Sequence, residues 1–128
     1  LYALFYLALS TGLRRGELLG LRWGALKGNI ISVRQTVVLV DNKLVLGTPK
    51  TLKGQRRVSV SADVLEVLAL HRQQQEVARQ DLGDAWPGTI TALTQGKDGL
   101  EPLTVENDFV FTTEVGTPLY PRNLERTW

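Results

Sequence analysis

Cysteine and methionine are absent from the 128 residues, and histidine occurs once, at His71. Without cysteine there are neither disulfides nor thiolate zinc sites, and one histidine leaves metal chemistry little to work with. Long apolar runs are lacking too. The opening LYALFYLALS is interrupted too soon to span a bilayer and lacks the basic start and cleavage pattern of a secretory signal, so a soluble chain with no membrane partner is expected. A chain that begins directly in an apolar helix, without an initiating methionine, reads as a segment of a longer protein. Internal repeats, heptads and low-complexity tracts are absent.

What is present is charge, unevenly placed. The formal net charge is +2, but residues 1–80 hold twelve Lys/Arg against five Asp/Glu, and residues 81–128 hold three against eight. A basic front suits the neutralisation of backbone phosphates, with an affinity that weakens as salt rises. An ordinary solvated surface carries such charge as well.

Apolar spacing and breaker residues predict helices over 2–10 and 14–21, divided by Thr11-Gly12, with Trp23 as a core anchor. NIISVRQTVVLV reads as one strand, Asp41-Asn42 as a turn, KLVLG as the antiparallel return and RRVSVS as a third, half-buried strand; together they make a small antiparallel sheet. Ser61 caps a helix that runs to near Asp81, its apolar side marked by Val64, Leu65, Leu68 and Val77. From Asp81 to Glu106 the chain reads as a long polar connection, an insertion or a mobile loop. The FVF at 109–111 is a short buried extended piece, and PRNLERTW starts a further helix with Pro121 in its first turn. The expected class is α+β, one domain at most.

The chemistry concentrates in TGLRRGELLGLRW, from Thr11 to Trp23. Arg14 opens a helix just past a glycine turn, and Glu17 follows at helical spacing. The carboxylate can then orient the guanidinium while its other N–H groups fork onto a phosphate; a helix-surface ion pair is the blander account of the same spacing. A second constellation is TPKTLKGQRR, whose Lys50 sits on a hairpin loop. A lysine there can swing to deliver a proton or a charge to a docked phosphate, or simply face solvent. Arg56 and Arg57 open the next strand and either contact DNA phosphates or protect a sheet edge from pairing. The sequence does not separate these two roles.

TGLRRGELLGLRW resembles the first active-site motif of the tyrosine recombinases, the phage-integrase family, and the Thr-Pro-Lys-Thr segment ending at Thr51 is similar to the hairpin that supplies that family's catalytic lysine. The resemblance implies that residues 1–128 are the N-terminal part of an integrase-like catalytic domain. Arg14 would be the first catalytic arginine, Glu17 its acidic brace and Lys50 the general acid, with Lys53 as the fallback; Arg15, Lys53, Arg56 and Arg57 would meet the DNA backbone. In that family a tyrosine attacks a DNA phosphodiester, giving a 3′-phosphotyrosyl link and a 5′-hydroxyl, while two arginines stabilise charge growing on the non-bridging oxygens. No metal or other cofactor is required. The implied partner is double-stranded DNA, on which the parent assembles as a tetramer, and the implied setting is cytoplasmic.

The chain departs from the family pattern by carrying neither a His-x-x-Arg box nor the later tyrosine. His71 is followed by Arg72-Gln73-Gln74, and none of Tyr2, Tyr6 and Tyr120 stands at the nucleophile's place. The fragment alone is therefore expected to be inactive, and a partial domain is expected to expose apolar surface at Leu4, Phe5, Leu9 or Phe111. The alternative is a non-catalytic DNA-binding or regulatory module of the same fold.

Overall fold

Helix α1 runs from Tyr2 to Thr11 and ends where Gly12 takes a φ of 71°, a left-handed angle that closes a helix without a Cβ clash. The computed structural model describes residues 2–40, 43–47 and 55–119. Thr11 finishes the turn: its hydroxyl donates to the Leu7 carbonyl and accepts the Leu13 N–H. Helix α2 follows over Arg15–Leu19, and a 3-10 turn at Trp23–Ala25 leads into the strands.

Two sheets form where the sequence suggested one. β1 (Leu26–Lys27), β2 (Ile30–Val33) and β5 (Arg56–Ser59) make a three-stranded antiparallel sheet in the order β1-β2-β5. β3 (Thr36–Val40) and β4 (Lys43–Gly47) belong to a second sheet with β6 (Thr89–Gly96) and β7 (Gly99–Glu106), in the order β3-β4-β6-β7. NIISVRQTVVLV is thus not one strand but two, divided at Arg34-Gln35. The division is tertiary in origin: the Gln35 amide donates to the Gly20 carbonyl at 3.0 Å, and β3 turns away to lie under α2. The third predicted strand pairs with β2 and not with the β4 return.

The stretch expected as a polar connection holds a hairpin of two eight-residue strands. β6 and β7 pair in register from Thr89↔Glu106 to Gly96↔Gly99 around Lys97-Asp98. Pro102, which has no N–H to donate, sits in β7, the edge strand of its sheet.

Helix α3 spans Ala62–Leu82, its first turn capped by Ser61 Oγ, which accepts the Val64 N–H. Val64 and Leu68 are buried, but Val77 is exposed, because it lies off the inward stripe that continues through His71, Gln75 and Ala78. The core joins Leu4 and Leu7 of α1, Leu18 and Leu19 of α2, Ile31 and Val33 of β2, and Phe109–Phe111. Leu4 and Phe111 are therefore interior, against expectation, and Phe5 is half-buried; Leu9 alone of the four is open to solvent. Tyr2, the first residue of α1, is exposed as well.

His71 packs against this core. Its Nε2 lies 2.6 Å from the Val110 carbonyl and its ring packs beside Trp23 and Phe111. Burial pushes its pKa below the ordinary 6.5, outweighing the opposing bond to the carbonyl. Trp23 is the anchor expected, its indole N–H donating to Gln75 Oε1 and the Arg72 guanidinium lying 4.8 Å from its ring.

Candidate functional site

Glu17 is the only buried charged residue among those described, and its carboxylate gathers three donors. Its Oε1 accepts the Arg14 backbone N–H at 2.9 Å, closing the first turn of α2 from inside. The Arg56 guanidinium forks onto it from β5, with Nη1 at 2.8 Å from Oε2 and Nη2 at 3.0 Å from Oε1. Burial alone would raise the Glu17 carboxyl, but the Arg56 hydrogen bonds, the Arg14 N–H and the positive charges of Arg56 and Arg14 hold it below 4.5.

The expected side-chain pair between Arg14 and Glu17 is therefore replaced. Glu17 faces inward, where desolvation favours the fully satisfied bidentate partner, and it fixes Arg14 through the backbone. Among the described residues the Arg14 guanidinium makes no ion pair; the side chain is exposed at the mouth of the helix turn. Arg15, the first residue of α2, is exposed too. Lys50 and Lys53 lie outside the described residues, as do Tyr120 and the PRNLERTW segment.

The register of β2 with β5 separates Arg56 from Arg57. Ile31 faces Val58 and Val33 faces Arg56, while Ser32 faces Arg57. Ile31 and Val33 are buried, so the face that holds Arg56 is the inner one, and Arg57 stands exposed on the other. An open groove of about 220 Å³ runs past Ser32, Arg34, Gln55, Arg56 and Arg57. It shares the Ser32–Arg34 edge with a cleft of about 340 Å³ that reaches Leu13, Glu17 and Gln35. Arg34 was not singled out by the sequence; its only signal is a charged residue interrupting a β-branched run.

Gly16 and Gly20 are a second omission. A Cβ at Gly16 would come within 2.5 Å of Thr36 Oγ1 and 2.7 Å of the Val37 carbonyl oxygen, and one at Gly20 within 3.2 Å of the Gln35 carbonyl oxygen. The glycines of GELLG let α2 seat directly on β3, which sets where Glu17 and Arg14 stand. Among the described residues no cluster of three or more His, Cys, Asp or Glu could hold a metal ion, and no helix is long and apolar enough to cross a membrane.

No family model matches the chain. It is 30% identical over 139 aligned positions to a tyrosine recombinase XerC-like protein of Caldanaerobacter subterraneus subsp. tengcongensis, a match that takes in 100% of this chain and 32% of that protein. It is 36% identical over 86 residues to the ICEBs1 integrase of Bacillus subtilis strain 168, covering 65% of this chain and 23% of that one. In fold it is similar to the Tn1549 transposon integrase in complex with transposon right end DNA, with a TM-score of 0.65 at 20% identity over 93% of this chain and 32% of the other. The same integrase in complex with circular intermediate DNA gives 0.62 at 21% identity. The chain spans about a third or less of the length of these relatives.

Proposed function

The chain belongs to the tyrosine recombinase and integrase family, and on that premise we propose that it is part of a catalytic domain that cuts and rejoins double-stranded DNA through a 3′-phosphotyrosyl intermediate. Arg14 forks onto the non-bridging oxygens of the scissile phosphate and stabilises the charge that grows there as a tyrosine oxygen bonds to phosphorus. Lys50 gives its proton to the 5′-oxygen as the phosphorus–oxygen bond breaks, so that a 5′-hydroxyl leaves. Glu17 is the buried brace that fixes Arg14 from behind. Arg57 and Arg34, with Arg15 and Lys53, meet the flanking backbone phosphates.

The observation that carries this reading is the division of labour inside the arginine box: Glu17 is buried and satisfied by Arg14's backbone N–H and by Arg56, while Arg14 itself is exposed. We assign the nucleophile's role to a tyrosine beyond this chain and not to Tyr2 or Tyr6, neighbours on α1 with ring centroids 5.9 Å apart. The 128-residue chain alone then forms no covalent adduct with a nicked suicide substrate; a tyrosine-linked product would overturn the assignment. The whole recombinase acts in the cytoplasm as a tetramer on its DNA.

Binding is tested on the chain itself. Anisotropy titration of a labelled duplex is expected to show affinity that falls with salt, by a slope set by the number of phosphates neutralised. No binding at low salt would overturn the reading. A non-catalytic module would bind in the same way, but a longer protein carrying it would form no phosphotyrosyl product even with Arg14 in place.

A further inference from the structure

Arg56 and Arg57 are adjacent cations six and seven residues after Lys50, and both stand beside the groove that a phosphate backbone could follow. Their surroundings differ. Arg57 is exposed on the outer face of β5. Arg56 is on the inner face, its side chain 32% exposed, with both terminal nitrogens on a carboxylate that is itself 5% exposed. The fork uses one N–H of each terminal nitrogen and not the rest of the guanidinium, but Arg56 cannot turn away to follow a phosphate without leaving the Glu17 charge uncompensated in the interior.

We propose, building on the function argued above, that Arg56 is a positioning residue for Arg14 and not a DNA contact. The linkage is short and complete. Arg56 holds both oxygens of Glu17; Oε1 of Glu17 holds the Arg14 N–H; and that bond sets the extended backbone of Arg14, φ −74° and ψ 155°, from which its side chain leaves α2. The same Arg56 opens β5 directly after the segment that carries Lys50. One ion pair therefore fixes the spacing between the arginine box and the strand onto which the lysine segment leads. Arg57, one residue on, serves the DNA.

The test is a double-mutant cycle on the 128-residue chain, reading duplex DNA affinity and the Arg14 amide resonance in a nitrogen–proton correlation spectrum. Arg57→Gln is expected to weaken binding and to lower the salt slope by about one. Arg56→Gln is expected to lower the salt slope only while Arg14 is in place, leaving it unchanged in an Arg14→Gln background, and to move the Arg14 amide, which Arg57→Gln does not move. Arg14→Gln is expected to cost about tenfold in affinity in the parent chain and about threefold or less beside Arg56→Gln, while its effect adds to that of Arg57→Gln. Should Arg56→Gln fail to fold, Glu17→Ala removes both acceptors of the linkage with Arg56 in place and is expected to move the Arg14 amide as well. A salt slope that Arg56→Gln still lowers in an Arg14→Gln background, or an unmoved Arg14 amide, would overturn the proposal. If the parent chain binds no DNA, the proposed function fails, and the amide measurement still decides the linkage.

Discussion

Gly16 of α2 presses so closely on Val37 of β3 that a Cβ would lie 2.7 Å from the Val37 carbonyl oxygen. Because that oxygen is backbone, it cannot swing aside as a long side chain would.

Gly16→Ala sets two effects against each other. Alanine in a helix interior gains up to about 1 kcal/mol in propensity, whereas overpacking against a fixed backbone costs about 1–3 kcal/mol. We expect the second to win, with a net loss of about 1–2 kcal/mol in urea unfolding. An unchanged or raised midpoint would mean that α2 can lift from β3 freely.

Removing either partner of the Glu17–Arg56 pair is expected to be unequal. Arg56→Met leaves a buried carboxylate with one backbone donor, for about 3 kcal/mol of destabilisation. Glu17→Gln leaves a guanidinium that already reaches solvent and keeps an acceptor for the Arg14 N–H, for about 1–2 kcal/mol. Denaturant unfolding of both variants checks the order, and a larger loss from Glu17→Gln would contradict the burial argument.

Two of the described groups, Glu17 and His71, bear on the acid side of the stability profile. Glu17 is held below 4.5 in the fold, so its contribution is present above that pH and is lost as pH falls through the lowered folded value. His71 is also lowered, from 6.5, by burial. Between its folded value and 6.5 the unfolded chain binds more protons than the native one, so stability falls on acidification through that window. Unfolding free energy measured from pH 7.5 to 5 should decline in the parent chain and flatten in His71→Gln. An equal slope in both would show that another group titrates there.

Much of this was local enough to read from the sequence. Gly12 ends α1, Ser61 caps α3 and the Arg14–Glu17 box starts a helix because caps and turns act over a few residues. The split of NIISVRQTVVLV is not local: its β-branched residues run past Arg34-Gln35, and the break comes from Gln35 reaching Gly20 and from α2 sitting on β3. Helical spacing likewise reports only neighbours, so it offered Arg14 as the partner of Glu17, whereas Arg56 lies 39 residues away. Alternation places Arg56 and Arg57 on opposite faces, but which face is inner follows from the pairing of β5 with β2. The β6–β7 hairpin does carry a local signal, Asp98-Gly99 between alternating segments, masked by polar composition.

Arg34 and Arg57, on the edge of one groove, are expected to act together on DNA. Each single glutamine variant should lower the slope of log affinity against log salt by about one, and the double variant by about two. Slopes that stay at the parent value would remove this groove from the DNA path.

The most direct test of the account is cleavage of a nicked suicide duplex by a longer recombinase carrying this chain, with Arg14→Lys and Lys50→Ala compared at saturating DNA. Arg14→Lys is expected to slow formation of the phosphotyrosyl product by about 100-fold or more, since an ammonium cannot replace the planar fork. Lys50→Ala is expected to be slow on ordinary DNA and to recover when sulfur replaces the bridging 5′-oxygen, because a thiolate leaves without a proton. Cleavage by Arg14→Lys at the parent rate, or a Lys50→Ala defect that sulfur leaves untouched, would contradict the roles assigned to the two residues.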